Sequence, residues 1–377
     1  MRAAHGKTLP ARRAALKARV CHVLETLGDP VALTRALVDI ESVSRNEQAI
    51  ADHVEEVLRL APHLSVDRLG DTVMARTDLG REQRVVLAGH LDTVPLNGNF
   101  PSTVVDDLIY GCGTSDMKSG VALALHLAAT LPDPGYDLTY LFYEAEEIES
   151  RYNGLRIVAE QHPEWLLADF AVLLEPTYGA VEAGCQGTLR AVIRTTGRRA
   201  HTARAWRGVN AIHAAGEVMR RLADYRPRTV TIDGCTYREG LNAVRISGGV
   251  SGNVVPDECT VEVNLRFAPD RSEKQALEHV QEVFEGFDLE LTDSAPGAMP
   301  GLDAAPAREF LAAVGAEPAA KLGWTDVARF AALGIPALNY GPGDPLLAHA
   351  PDEHVEIGKI RDGAATLHRW LAAPGAY

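Results

Sequence analysis

Short apolar strands alternate with helices along most of this chain, and this alternation constrains the fold more than any other feature. The segments predicted as strands are 84–88, 138–143, 170–174 and 336–340. The segments predicted as helices are the apolar run 119–130, the amphipathic run 31–40 preceded by Asp29-Pro30, and the run 47–60 with Asn46 as its cap. Buried strands separated by helices indicate an α/β fold, in which a sheet carries helices on both faces.

The middle of the chain follows a different pattern. Strands are predicted at 188–196, 229–232, 244–247, 260–267 and 288–292, and helices at 210–225 and 273–287. This order of elements indicates a small α+β domain of ferredoxin-like type, with helices on one face of its sheet. Because 377 residues exceed one ordinary core, we expect one domain made of residues 1–186 and 295–377, interrupted by an inserted domain at 187–294. The stretch 294–306, rich in Pro, Gly and Ala, is predicted to be the return linker.

Net charge and cysteine usage narrow the classes of partner. The formal net charge is −14, which argues against a nucleic-acid partner because phosphate binding needs a basic face. No apolar run reaches the roughly 18 residues of a membrane span. The basic segment 1–20 lacks a signal-peptide core and is predicted to be a frayed or weakly helical extension. Five scattered cysteines without a CxxC pair favour reduced, buried thiols and a cytoplasmic protein.

Histidines and carboxylates follow the predicted strands at their carboxyl ends, where α/β sheets place their ligands. His90 and Asp92 come directly after the strand at 84–88 and point the same way on extended backbone. Taken singly, each such residue has an ordinary explanation, for example a surface histidine, a helix N-cap or a solvated loop. The other members of the set are Asp116, Glu146, Glu147, Glu175 and the late His349.

The set as a whole predicts a metal centre. Two imidazoles and three of the five carboxylates, with no thiolate, suit divalent ions such as Zn²⁺, Co²⁺ or Mn²⁺. Five ligands exceed the need of one catalytic ion, so we expect one carboxylate to bridge two ions. One of the two remaining carboxylates can then act as general base on the attacking water. A histidine followed by Asp92 also fits a metal ligand that a second carboxylate orients, whereas spacing alone does not distinguish the roles of Glu146 and Glu147.

These residues lie in motifs that resemble the metallopeptidase family of acetylornithine deacetylase, succinyl-diaminopimelate desuccinylase and bacterial glutamate-releasing carboxypeptidases. The motifs are His90–Pro95, Gly113–Gly120, Glu146–Glu147, Glu175–Thr177 and His349. The resemblance covers the chain from about Gly28 to the C-terminus. It implies a zinc-exopeptidase-like catalytic domain with a mixed sheet flanked by helices. It also implies that the inserted domain serves as lid and as the interface of a homodimer.

The resemblance also implies a role for each member of the set. Two zinc ions per chain are implied, with Co²⁺ or Mn²⁺ as substitutes. The implied roles are His90, Asp116 and Glu175 on one ion, Asp116 as the bridge, Glu147 and His349 on the second ion, Glu146 as general base, and Asp92 as support for His90.

The inserted domain carries the motif Gly197–Arg204. In similar enzymes the histidine of this motif crosses the dimer interface and hydrogen-bonds the tetrahedral oxyanion. The resemblance therefore implies this role for His201, and such a donor is worth roughly 3 kcal/mol of transition-state stabilisation. A polyanionic substrate also needs cationic and amide groups, for which the candidates are Arg266, Asn253, Arg204 and Thr325. Thr325 lies in Gly323-Trp324-Thr325-Asp326, where many family members have Gly-Gly-Thr-Ser-Asp.

Three further segments, 181–190, 321–330 and 341–345, resemble the desuccinylase subgroup of the family. They imply hydrolysis of the amide of N-succinyl-LL-2,6-diaminopimelate, a step of lysine and diaminopimelate biosynthesis. Another N-acyl amino acid deacylase of the acetylornithine type, or a metallo-dipeptidase or carboxypeptidase, would share the same metal motif. A non-catalytic zinc-binding dimer is the alternative from a different class, and the intact Glu146 beside all five ligands argues against it.

Overall fold

The computed structural model describes residues 26–373, which divide into two compact units. Among the described residues, the first unit contains 26–182, 302–317 and 333–373. The second unit contains residues 183–301 and 318–332. The segment 318–332 is grouped with the first domain by the sequence pattern but belongs to the second unit in the structure. The predicted extension at 1–20 lies outside the described residues.

The strands are numbered in chain order. They are β1 (Ser65–Leu69), β2 (Thr72–Arg76), β3 (Arg84–His90), β4 (Thr103–Val105), β5 (Leu108–Tyr110), β6 (Asp137–Tyr143), β7 (Phe170–Leu173), β8 (Glu182–Ala183), β9 (Gly187–Thr196), β10 (Ala200–His201), β11 (Thr229–Ile232), β12 (Cys235–Arg238), β13 (Gly240–Gly248), β14 (Val254–Val255), β15 (Glu258–Phe267), β16 (Asp288–Ala295), β17 (Ala319–Ala320), β18 (Ala337–Asn339) and β19 (His354–Glu356).

The α-helices are numbered in the same way. They are α1 (Pro30–Val38), α2 (Gln48–Leu58), α3 (Ser119–Thr130), α4 (Gly154–Gln161), α5 (Ala211–Asp224), α6 (Glu273–Val283), α7 (Ala305–Val314), α8 (Val327–Ala332) and α9 (Ile357–Ala372). Four shorter helical turns lie at Thr114–Lys118, Ser150–Tyr152, Pro163–Trp165 and Thr202–Arg207.

Strands of the first unit form a mixed sheet with the order β1-β2-β6-β3-β7-β18. β3 is parallel to β6 and β7, β18 is parallel to β7, and β2 is antiparallel to β1 and β6. His90 pairs with Tyr143, and Ala88 pairs with Leu173. The carboxyl ends of β3, β6 and β7 therefore reach the same edge of the sheet, as parallel pairing requires. The predicted α/β class with a mixed sheet is confirmed.

Helix α3 lies inside the core of the first unit. Nine of its twelve residues are buried, which explains why its sequence is apolar on all sides rather than on one stripe. It packs against α1, α2 and α9 and against β3 and β6. Its first turn follows the segment that carries Asp116, so packing of this helix fixes one side of the predicted metal centre.

The second unit contains a four-stranded antiparallel sheet with the order β13-β15-β9-β16. Alternate residues of β9 and β15 are buried, including Ile193, Val261 and Val263, and they pack with apolar residues of α5 and α6. Asn210 caps α5 by accepting the amides of Ile212 and His213. One face of the sheet is thus covered by helices, as the ferredoxin-like pattern predicts.

Some local predictions are wrong. Asn46 does not cap α2, because Glu47 occupies the preceding position and makes no capping hydrogen bond. Helix α6 ends at Val283 rather than 287, and the hairpin of β1 and β2 is not predicted from the sequence. The predicted helix at 119–130 is confirmed. Helix α1 begins at Pro30, and the side chain of Asp29 caps it by accepting the amide of Val31.

Two further features of residues 26–373 concern membrane-spanning helices and cysteines. No helix in this range combines the length and the apolar character that a membrane span requires. Cys112, Cys185, Cys235 and Cys259 are buried thiols, as predicted, whereas Cys21 lies outside the described residues.

Gly120 provides a test of the packing around α3. A Cβ at this position would lie 2.1 Å from the main-chain oxygen of Leu174, which cannot move without displacing the end of β7. We expect Gly120→Ala to lower the free energy of unfolding by about 1–3 kcal/mol, measured by urea denaturation. Gly358→Ala in α9 is the control, because no atom lies within 4 Å of its Cβ position. Equal stability of the two variants would contradict this packing.

Candidate metal centre

The predicted ligands meet at the edge where the parallel strands of the first unit end. His90 is the last residue of β3, the segment 144–147 follows β6, and Glu175 follows β7. Asp116 lies in the helical turn Thr114–Lys118 before α3, and its peptide bond to Met117 is cis. His349 lies in the loop between β18 and β19.

The ring of His90 is buried and oriented by the main chain. Its Nδ1 lies 3.0 Å from the carbonyl oxygen of Asp92, and its Nε2 lies 3.1 Å from Oδ1 of Asp116. Because a carbonyl oxygen can only accept, Nδ1 carries the proton and donates it. In the neutral ring, Nε2 therefore presents its lone pair toward Asp116, which is the geometry of a metal ligand.

Asp92 has a second structural role that the sequence does not reveal. Its carboxylate lies 3.4 Å from Nδ1 of His90. It also accepts the amides of Glu146 and Glu147 at 3.0 and 3.1 Å, and the hydroxyl of Ser44 at 2.7 Å. Burial raises the pKa of Asp92, but the partners of the carboxylate, His90 first, outweigh burial and hold that pKa below its ordinary value. One buried carboxylate thus fixes the backbone of both glutamates.

Two groups of donor atoms share Asp116. One group consists of His90, Asp116 and Glu175, and the other of Asp116, Glu147 and His349. In each group the candidate ligand atoms lie within 4.8 Å of one another. Oδ1 of Asp116 faces His90 at 3.1 Å, and Oδ2 faces His349 at 3.5 Å. A carboxylate whose two oxygens face two different imidazoles has the arrangement of a bridging ligand.

The adjacent glutamates differ in their neighbours. Oε1 of Glu147 lies 2.9 Å from Nε2 of His349, and Glu147 belongs to the group that contains Asp116 and His349. Glu146 groups with His90 and Glu147 but not with His349. The two glutamates, which spacing alone leaves equivalent, thus have different neighbours in the structure.

The charges of the site favour a bound cation. Carboxylates of Asp116 and Glu147 raise the pKa of His349 to about 10, although burial opposes them. Burial also lowers the pKa of His90, but Asp116 and Asp92 raise it well above the ordinary value. Without metal, protonated imidazoles would balance the carboxylates, so metal binding must displace protons. The donor set of imidazole nitrogens and carboxylate oxygens without a thiolate fits divalent zinc, cobalt or manganese.

Glu353 is a supporting residue that the sequence analysis does not identify. Its side chain is 2% exposed. Oε1 accepts the amides of Ser115 and Asp116 at 2.8 and 3.0 Å, and Oε2 accepts the amide of Gly113 at 2.9 Å. Burial raises the pKa of Glu353 to about 7 even though these three amides lower it. Its nearness to His349 in the chain is the one sequence signal that could have drawn attention to it.

Two glycines allow a loop of the first unit to approach the ligand segments. A Cβ on Gly341 would lie 2.5 Å from the main-chain oxygen of Glu175, and a Cβ on Gly343 would lie 2.3 Å from that of Ser115. These contacts explain the glycines of the Gly341-Pro342-Gly343 segment in terms of backbone packing.

The predicted substrate-binding residues all lie in the second unit. His201 ends β10 and is exposed, and its Nδ1 accepts the amide of Ala203 at 3.0 Å. In the neutral ring the proton is therefore on Nε2, which remains a hydrogen-bond donor. Asn253 lies beside it, because its carbonyl accepts the amide of Thr202. Arg204 is exposed.

The other two candidates are less exposed. Arg266 is on β15 opposite Thr188, and burial followed by the charge of Arg190 lowers its pKa. Thr325 is 4% exposed, and its carbonyl oxygen lies 3.8 Å from the thiol of Cys185.

Comparison with known proteins identifies a peptidase family and two similar relatives. The sequence profile described as peptidase family M20/M25/M40 matches residues 86–373. A Mycobacterium tuberculosis protein, provisionally named succinyl-diaminopimelate desuccinylase DapE, is 57% identical over 352 residues, covering 93% of this chain and 99% of the relative. A Corynebacterium glutamicum protein named succinyl-diaminopimelate desuccinylase is 49% identical over 360 residues, covering 93% and 98%.

A solved structure shows the same fold at low sequence identity. The crystal structure of a tripeptidase from Staphylococcus aureus superposes with a TM-score of 0.75 and 21% identity. The match covers 92% of this chain and 98% of that chain.

The role of Glu353 can be tested by replacing its carboxylate with the side-chain amide of glutamine. Glu353→Gln should weaken metal affinity by roughly 10–100-fold, the usual cost of losing a residue that orients metal ligands. The physical reason is that one glutamine atom becomes an N–H donor facing main-chain N–H groups. Competition with a chromophoric chelator measures the affinity, and exposed Asp352→Asn is the control. Unchanged affinity in Glu353→Gln would show that these three hydrogen bonds do not position Asp116.

Proposed function

This chain belongs to peptidase family M20/M25/M40, and on that basis we propose that it hydrolyses the amide of N-succinyl-LL-2,6-diaminopimelate. The products are succinate and LL-2,6-diaminopimelate. The observation that carries the hydrolytic part is the pair of donor groups joined by Asp116, with Glu146 beside them. The substrate follows from the relatives at 57% and 49% identity, both named for this activity.

We assign the metal ligands according to the two donor groups. His90, Asp116 and Glu175 would hold one zinc ion, and Asp116, Glu147 and His349 the other, with Co²⁺ or Mn²⁺ as substitutes. When bound, two such ions supply Lewis-acid activation of water and of the amide carbonyl.

Glu146 is proposed as the general base. It would take a proton from the attacking water and deliver it to the leaving amine, so that the same carboxylate serves both half-steps. The support is positional: Asp92 holds the amides of residues 146 and 147, and Glu146 has no part in the group of Asp116 and His349. Asp92 is thus proposed as a positioning residue for the base as well as for His90.

An arginine-rich turn of the second unit supports the proposal that the substrate is anionic. Arg198, Arg199, Arg204 and Arg207 line a cavity of about 640 Å³ together with His201 and Trp206. No acidic residue occurs between positions 197 and 208, although the whole chain carries a net charge of −14. Asp257 pairs with Arg199, which leaves the other guanidinium groups to attract carboxylates.

The remaining polar candidates of the second unit complete this proposal. N-succinyl-LL-2,6-diaminopimelate carries three carboxylates, and arginine binds such groups in a bidentate manner. Arg204 and Arg266 are proposed to bind carboxylates of the substrate, and Asn253 and Thr325 to supply uncharged hydrogen bonds. His201, with Nε2 as donor, is proposed to stabilise the oxyanion.

We further propose that the active protein is a homodimer formed through the second unit. β13 is an edge strand of its sheet, and it exposes 59% of Val244 and 53% of Ile246. Ile212 and Met219 of α5 and the nearby Val250 are also exposed. An apolar edge strand next to an apolar helix face is a surface that soluble proteins usually cover, and a two-fold axis would cover it with its own copy.

The cytoplasm is the proposed location. Four cysteines of the described chain are buried thiols, which fits a reducing compartment.

The substrate assignment predicts a preference for an anionic acyl group. We expect kcat/KM for N-succinyl-LL-2,6-diaminopimelate to exceed that for N-acetylornithine by at least roughly 10–100-fold. A charge-assisted hydrogen bond to the succinyl carboxylate is worth about 1.5–3 kcal/mol. Arg204→Gln should reduce this ratio, whereas Arg194→Gln should not, because Arg194 is a half-buried residue of β9 that pairs with Glu258 and Glu290. An equal or higher value for the acetylated substrate would contradict the assignment and leave hydrolysis itself intact.

The dimer predicts complementation between two inactive chains. His201→Ala and Glu146→Gln chains are each expected to be nearly inactive. Mixed dimers should regain activity in up to half of their sites, because one site then has both an intact base and the histidine of its partner. Activity is measured after subunit exchange, with each variant homodimer as control. Demonstrated exchange without recovered activity would place His201 in the site of its own subunit.

A further inference from the structure

A second cluster of carboxylates lies next to the segment that carries Glu146. It consists of Glu47 before α2, Asp71 in the turn between β1 and β2, and Glu144 after β6. One carboxylate oxygen from each of these three residues lies within 4.8 Å of the others. None of the three belongs to the proposed dinuclear centre, and all three lie in the first unit.

The carboxylate of Glu47 is buried and only partly satisfied. The residue is 0% exposed, and its Oε1 accepts the amide of Ala145 at 3.1 Å. Its Oε2 is buried and has no hydrogen-bond partner among the described residues. An oxygen in this state costs stability unless a proton or a cation is present.

The backbone is shaped to bring the cluster together. Oε1 of Glu144 accepts the amide of Asp71 at 3.0 Å. Gly70 has a positive φ of 62°, and a Cβ at that position would lie 2.6 Å from the same oxygen. A side chain at position 70 would therefore push the carboxylate of Glu144 away.

Basic side chains neutralise the cluster only in part, because Arg68 pairs with Asp71 alone among the three carboxylates. Arg68 is shared among Asp52, Glu55 and Asp71. No basic residue of the described chain makes a salt bridge with Glu47.

The groups that surround the two glutamates agree with an excess of negative charge. Burial, and then the charges of Asp71 and Asp92, raise the pKa of Glu144, while Arg45 lowers it. Burial and the charge of Asp92 likewise raise the pKa of Glu47, while main-chain amides lower it.

We propose that Glu47, Asp71 and Glu144 form a binding site for Ca²⁺, separate from the dinuclear centre. All donors are carboxylate oxygens, the ligands of hard cations, and no imidazole or thiolate is present to favour zinc. Oxygens within 4.8 Å of one another can share one ion whose bonds to oxygen are about 2.4 Å long. Water would complete the coordination sphere.

The ion would stabilise the segment that carries the proposed base. Glu47 holds the amide of Ala145, and Asp92 holds the amides of Glu146 and Glu147. A cation that orders Glu47 and Glu144 therefore restrains this segment from one side while Asp92 restrains it from the other.

The test uses the zinc-loaded full-length protein and thermal unfolding, so it does not depend on turnover or on the substrate. Adding CaCl2 at constant ionic strength should raise the Tm in a saturable manner, because the ion binds the folded state. Glu144→Gln and Asp71→Asn should each remove this rise. Asp52→Asn should retain it, since Asp52 also pairs with Arg68 but lies outside the cluster.

Direct location of the ion completes the test. Crystals of the zinc-loaded protein grown with CaCl2 should show an anomalous peak between the three carboxylates. Glu47→Gln is a third variant that should also lose the calcium-dependent rise in Tm. If this variant does not fold, Glu144→Gln and Asp71→Asn still decide the test. No calcium-dependent rise in the Tm of the wild-type protein, or an equal rise in Glu144→Gln and Asp71→Asn, would overturn the proposal. So would crystals without a peak at this position.

Discussion

The shared carboxylate of Asp116 is the constraint on which the rest of the site depends. Its two oxygens face the imidazoles of His90 and His349, so a displacement of Asp116 would disturb both donor groups together. Parallel pairing of β3 with β6 and β7 brings the other ligand segments to one edge of the sheet. The packing of α3 and the close contact of Gly120 with the end of β7 hold Asp116 at that edge.

Buried carboxylates that accept main-chain amides are the recurring device of this site. Glu353 holds the segment of Asp116, Asp92 holds the segment of Glu146 and Glu147, and Glu47 holds Ala145. Each fixes a stretch of backbone, and Asp92 also contacts the ring of His90. The side chains of these segments therefore extend from a main chain that is held in place. Charge-assisted bonds to main-chain amides are among the stronger hydrogen bonds in proteins, which suits a centre where several like charges must be kept close.

The sequence identifies the candidate ligands better than the residues that support them. The buried strands and α3 have strong apolar patterns, and the histidines and carboxylates at the strand ends are visible as residue types, so β3, α3 and the ligand segments could be placed in advance. Glu353 and Glu47 could not, because a carboxylate that binds amides distant in sequence has no local pattern. Asn46 illustrates the reverse error: a good capping residue lies one position too early, and tertiary contacts of Glu47 decide where α2 begins.

We propose that this chain holds two divalent ions joined by Asp116, and metal stoichiometry tests this proposal most directly. Protein purified without chelator and titrated with Zn²⁺ should bind about two ions per chain, and Asp116→Asn should weaken both ions together. The calcium site would not enter this count if the titration is made with excess Ca²⁺ present. Saturation at one zinc ion per chain, with full hydrolytic activity, would contradict the account.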